Sequence, residues 1–92
     1  MSYSYKYPRP ALTTDALIVA KKEDQYFILL IERKYEPFKG QWALPGGFVN
    51  MDEDLDVACA RELFEETNIS VTELKQFQTY GAVNRDPRGR TV

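Results

Sequence analysis

Glu62, Glu65 and Glu66 stand at i, i+3 and i+4 in the stretch ARELFEETNI (60–69), so on a helix their carboxylates share one face. Oxygen donors gathered this way suit a hard divalent ion such as Mg2+, which takes oxygen ligands octahedrally and keeps positions for water and phosphate oxygens. A plain solvated acidic face explains the same three residues, because each like-charge neighbour at this spacing costs only about 0.2–0.5 kcal/mol in water. The rest of the composition narrows the chemistry. The chain has no histidine and a single cysteine, Cys59, which excludes His-based metal centres, a His general base and an internal disulfide. Cys59 itself reads as a small buried hydrophobe.

A helix must position the glutamates. From Asp54 to Thr67 the apolar residues Val57, Ala60 and Phe64 recur at helical spacing, with Leu63 widening the stripe, so the segment is an amphipathic helix with that stripe turned to the core. Asp52, Glu53 and Asp54 suit its positive N-terminal end. Upstream, ALTTDALIVA (11–20) and QYFILLIE (25–32) are rich in β-branched and aromatic residues and flank the polar KKED, which predicts a hairpin. RKYEPFKGQW (33–42) carries Pro37 and Gly40, and Pro45-Gly46-Gly47 sits inside the short apolar piece ALPGGFV, so the chain turns sharply there. Residues 69–83 resume a strand-like pattern around Ile69, Val71, Leu74, Phe77 and Tyr80, and NRDPRGRTV (84–92) reads as a turn leading into another strand.

The spacing across these elements is specific. Gly47, five residues, Glu53, seven residues, then Arg61, Glu62, Leu63, Phe64, Glu65, Glu66, Thr67, Asn68 and Ile69 resembles the Nudix box, G-x5-E-x7-R-E-U-x-E-E-x-G-U with U aliphatic. Asn68 is the one departure; it replaces a glycine at a helix end, where a left-handed cap accepts Asn as the usual second choice. The resemblance implies an α/β fold, an α/β/α sandwich around a mixed β-sheet, and hydrolysis of a nucleoside diphosphate linked to another group. By the same resemblance Glu62, Glu65 and Glu66 bind the divalent ions, Mg2+ or alternatively Mn2+. The Gly46 carbonyl becomes a further ligand, and Glu53 supports the site or binds an additional ion. Arg61 diverges from Glu62 by 100° on a helix and is given an orienting role. Glu62 is the candidate general base within the box, although some branches of the family take the base from a later loop.

YPRPALTTDALIVA, ERKYEPFKGQWALPGGFV and YGAVNRDPRGR extend the likeness, from Tyr7 to Arg90, to the ADP-ribose pyrophosphatase-like branch. ADP-ribose needs cations for its diphosphate and flat surfaces for its base. Arg33, where the family often places a substrate-contacting arginine, is one candidate. Arg85 and Arg88 are two more, with Asp86 between them allowing equally a solvated turn. Trp42 and Phe48 either stack on a base or pack in the core.

At 92 residues, 43% hydrophobic and 28% charged, the composition is that of one ordinary soluble domain. The expected division is an extended arm at 1–10, carrying Tyr3, Tyr5 and Tyr7 as an interface element or a simple leader, and a partial Nudix domain at 11–92 that lacks the late strands and C-terminal helix. The formal net charge of −2 gives no general footprint for nucleic acid or an anionic membrane. No stretch approaches a membrane span, so the expected location is cytoplasmic, with a nucleotide-type small molecule, and a second copy of the chain in a homodimer, as the partners. Two rival classes remain: an ADP-ribose-sensing domain of a transcriptional regulator whose DNA-binding part lies elsewhere, and a small binding domain with a purely structural acidic helix.

Overall fold

The computed structural model describes residues 6–92; Tyr3 and Tyr5 of the expected arm lie outside them, and Tyr7 is exposed. The order is β1 (Thr13–Asp15), β2 (Val19–Lys22), β3 (Gln25–Ile28), β4 (Ile31–Glu32), β5 (Trp42–Ala43), β6 (Gly46–Phe48) and α1 (Leu55–Thr67). Three antiparallel pairs form, β1 with β6, β2 with β3 and β4 with β5. The ladder around β1 is mixed, because Ala11 also makes a parallel bridge to Thr91, with Ala11 N–H donating to Arg90 O at 3.0 Å and Val92 N–H to Ala11 O at 2.9 Å. The turn predicted at 84–92 therefore does deliver its end to a strand position, and Asp86 and Gly89 bridge across it.

The predicted hairpin is present in part. Residues 11–20 are not one strand: Asp15 pairs with Gly46 and Ala16 N–H donates to Pro45 O at 2.7 Å, whereas Val19 pairs with Ile28. The chain changes partner across Leu17, where β propensity alone marks no break. β2 and β3 meet through the two-residue loop Glu23-Asp24, with Glu23 at φ 58°, a left-handed conformation that fits such short turns.

Helix α1 is flanked by Asp54 at its N-terminal cap and Asn68 at its C-terminal cap; Asn68 adopts φ 65°, ψ 16° and donates its N–H to Phe64 O at 2.8 Å. The one departure from the box is thus a left-handed cap that closes the last turn. The helix packs on β1 and β6, and this decides which face is buried. Ala58, Cys59 and Leu63 are buried, whereas Val57 and Phe64, expected in the core, are 55% and 51% exposed. The apolar stripe is broader than the ladder beneath it, and the contact with glycines 46 and 47 selects the side carrying Ala58, Glu62 and Leu63. Ala16, Cys59 and Leu63 form the core, with Ile18, Leu29, Val71 and Leu74 against it. Cys59 is the small buried hydrophobe expected, and burial pushes its thiol pKa up.

Residues 69–83 hold no strand. Val71 and Leu74 tuck partly against the core, but the intervening backbone finds no ladder partner among the described residues, so apolar alternation there reflects docking rather than pairing.

Candidate catalytic and ligand-binding cleft

The site is assembled where α1 crosses the start of β6. Gly46 and Gly47 have no side chains to hold the helix away: a Cβ built on Gly47 would lie 2.7 Å from Glu62 Cδ and 2.8 Å from each carboxylate oxygen. Gly46 N–H donates to Glu66 Oε1 at 3.2 Å. Two of the three glutamates therefore lie directly over the backbone of the glycine pair.

Arg61 organises the rest. Its Nε donates to Glu53 Oε2 at 2.6 Å and its Nη2 to Glu53 Oε1 at 2.9 Å, a two-point pairing, while Nη1 reaches Glu62 Oε1 at 2.8 Å and Glu65 Oε2 at 3.3 Å. Nη2 also donates to Phe48 O at 3.3 Å. The 100° divergence expected between Arg61 and Glu62 applies to their Cα–Cβ bonds, but the long arginine side chain bends back across it. Hydrogen bonding to Arg61 and to the Asn50 amide brings the Glu53 pKa down to about 2, and the carboxylates in turn raise that of Arg61. Glu53 therefore stays ionised at any ordinary pH and fixes Arg61 in place.

Glu66 behaves oppositely. Partial burial is the main cause that raises its pKa, the Gly46 amide counters it, and Glu62 and Asp15 add further upward pressure. This is a carboxylate crowded by like charge, and a divalent cation would relieve that crowding. Among the described residues no three acidic or cysteine side chains already converge as a ready cation cage, because Glu62 and Glu65 are turned onto Arg61. In kind, the donor set fits a hard ion: carboxylate oxygens on one helical face beside the backbone of the glycine pair.

A cleft of about 630 Å³ opens beside this face. Its lining brings together Arg33, Arg85, Arg88, Gly46, Glu65 and Glu66 from separate parts of the chain. Glu62, Glu53 and Arg61 are not among its lining residues and are joined to one another by ion pairs. Arg33 is anchored by Nε donating to Pro37 O at 2.7 Å, which ties it to the turn before β5. Of the two aromatics considered, Phe48 lines the cleft and Trp42 lies outside it, 66% exposed rather than in the core.

Asp15 was not anticipated. It lines the cleft, and its carboxylate lies 4.0 Å from Arg85, whose Nη2 also donates to Thr13 Oγ1 at 3.4 Å. Burial raises the Asp15 pKa, and Arg85 lowers it in part. The available signal was a lone acidic residue inside an otherwise apolar strand run.

Comparison with known proteins agrees with this geometry. Residues 9–92 match the NUDIX domain family. The chain is 46% identical over 88 residues to an ADPR responsive transcriptional repressor, NtrR, of Acinetobacter baylyi, covering 94% of this chain and 35% of that protein. It is 42% identical over 86 residues to an ADP-ribose pyrophosphatase of Methanocaldococcus jannaschii, covering 94% of this chain and 48% of that one. Thus the chain spans less than half the length of either relative. The NUDIX domain of Shewanella oneidensis NrtR, solved with ADP ribose, superimposes with a TM-score of 0.85 at 36% identity, over 97% of this chain and 60% of that one. A bifunctional NMN adenylyltransferase/ADP ribose pyrophosphatase from Francisella tularensis, solved with AMP and a Mn ion, gives a TM-score of 0.79 at 38% identity, over 95% and 26% of the two chains. With its box residues on α1, its glycine pair beneath them and its match along nearly the whole chain, this protein belongs to the Nudix family.

Proposed function

We propose that the chain is the catalytic part of a divalent-metal-dependent diphosphohydrolase that cleaves ADP-ribose to AMP and ribose 5-phosphate. The observation that carries this reading is the cleft, whose lining brings Arg33, Arg85 and Arg88 together with Glu65 and Glu66. Cations and carboxylates lining one cleft suit a diphosphate accompanied by Mg2+ or Mn2+. Glu62, Glu65, Glu66 and the Gly46 carbonyl would hold the ion, with Glu53 supporting them through Arg61. A bound divalent ion neutralises the diphosphate and lowers the pKa of an attacking water.

The chain's own groups account for the remaining steps. Arg33 and Arg85 bind and orient the two phosphoryl groups, and Arg88, paired with Asp86, contacts another part of the ligand. Arg61 holds Glu62 and Glu65 in register, and Glu62 is the general base that accepts the proton of the attacking water. A homodimer and a cytoplasmic setting complete the proposal.

The test is to give the intact protein ADP-ribose and Mg2+ and to look for AMP and ribose 5-phosphate. A second reading, an ADP-ribose-responsive regulatory domain, is favoured by the 46% identity to a repressor. Tight binding of ADP-ribose with no product would select it over hydrolysis.

Gly47→Ala separates site from scaffold. The added Cβ meets the mobile end of Glu62 rather than backbone, so the fold accommodates it and the carboxylate is displaced. A misplacement of this order is expected to lower kcat/KM by about a hundredfold. Thermal unfolding measured alongside the kinetics should move little.

A further inference from the structure

Arg85 and Arg88 line the same cleft but are held differently. Arg88 is closely neutralised by Asp86: its Nη2 donates to Oδ2 at 2.5 Å, its Nε to Oδ1 and Oδ2 at 3.0 and 3.1 Å, and its backbone N–H to Oδ1 at 2.8 Å. These bonds bring the Asp86 pKa down to about 2, so the pair stays charged and closed at neutral pH. The guanidinium carbon then sits 4.8 Å from the centroid of the Phe48 ring. The Arg85 guanidinium is held more loosely, by a 3.4 Å bond to Thr13 Oγ1 and with the Asp15 carboxylate 4.0 Å away.

An arginine whose charge is already answered by a two-point carboxylate is a poor phosphate clamp, because binding an anion would break that pair. What it keeps is a flat, polarisable surface, and bases stack readily on guanidinium planes and aromatic rings. The surface is accessible: the Arg88 side chain is 42% exposed and Phe48 is 44% exposed. We infer that the Asp86–Arg88–Phe48 stack is the platform for the nucleobase of the ligand, and that Arg85 and Arg33 take the diphosphate. This deepens the ADP-ribose reading and rests on it for the identity of the ligand. It places the purine at the mouth of the 84–89 turn and makes base recognition a matter of stacking area, which favours a purine over a pyrimidine.

The test compares ADP-ribose with an analogue in which the same diphosphate joins two riboses and the adenine is missing. In both Phe48→Leu and Arg88→Ala, affinity for ADP-ribose should fall about tenfold while affinity for the base-free analogue stays put. Equal losses for the two ligands would reassign Arg88 to the phosphates, and no loss for either would remove the platform. Adenosine alone is the independent arm: its addition to the intact protein should shift the Phe48 ring resonances. A ring that does not move overturns the stack, whereas a moving ring in a protein that releases no AMP upholds the stack and overturns hydrolysis.

Discussion

Replacing Glu66 by Gln is expected to lower kcat/KM for ADP-ribose by roughly a thousandfold, the loss of several kcal/mol of charge stabilisation in the transition state. The substitution keeps the shape and an acceptor for the Gly46 N–H, which now lies 3.2 Å from Oε1, so the contact between α1 and β6 survives. What it removes is the charge. Glu66 lies on the cleft, in partial burial, with Glu62 and Asp15 both repelling it, and that repulsion is of use only if a cation answers it. Circular dichroism and the unfolding midpoint should match the unsubstituted protein, while steady-state kinetics collapse. Unchanged turnover would remove Glu66 from the site, and with it the assignment of the cleft to metal-assisted hydrolysis. Binding of ADP-ribose without metal should survive the change, because the arginine wall is untouched.

Leu63→Ala should cost about 2–5 kcal/mol of stability, measured by denaturant unfolding at equilibrium. Leu63 is fully buried between α1 and the β1–β6 ladder, within a core that otherwise contains little more than Ala16 and Cys59. Neither neighbour can expand into the space that truncation leaves. Against the roughly 5–15 kcal/mol typical of a folded domain, such a loss is a large fraction of the total. Phe64→Ala, one residue on, should cost far less, since that ring is 51% exposed. Similar losses at the two positions would mean that the helix sits the other way round on the ladder.

The helix and its limits were legible from residue spacing. Asn68 illustrates why: a conformational requirement of the helix end restricts residue type locally, so the substitution could be interpreted without a structure, and its φ of 65° is the conformation expected. The orientation of the helix was not legible. Val57, Ala60, Leu63 and Phe64 form a stripe wide enough to bury in two ways, and the choice depends on how closely Gly46 and Gly47 let the ladder approach, a contact between segments distant in sequence. The same limit explains the break at Leu17, where local β propensity continues while hydrogen-bonding partners change. It also explains Val71 and Leu74, whose apolar side chains dock on the core without a strand to carry them. In the cleft, the arginines could be proposed individually, but the placement of Asp15 beside Arg85 depends on β1 and the 84–89 turn meeting, which no single segment announces.

Glu62, Glu65 and Glu66 all ride on α1, whereas the cleft's arginines and Phe48 come from β6 and from the turns around residues 33 and 85–88. On the proposed reading, recognition and cleavage are thus written on different segments and can be inherited separately. A lineage that loses one glutamate keeps a receptor for the same small molecule, with its wall of cations unaltered. One that keeps them all retains a catalyst. A repressor and a pyrophosphatase at 46% and 42% identity to one chain are the outcome such a division permits.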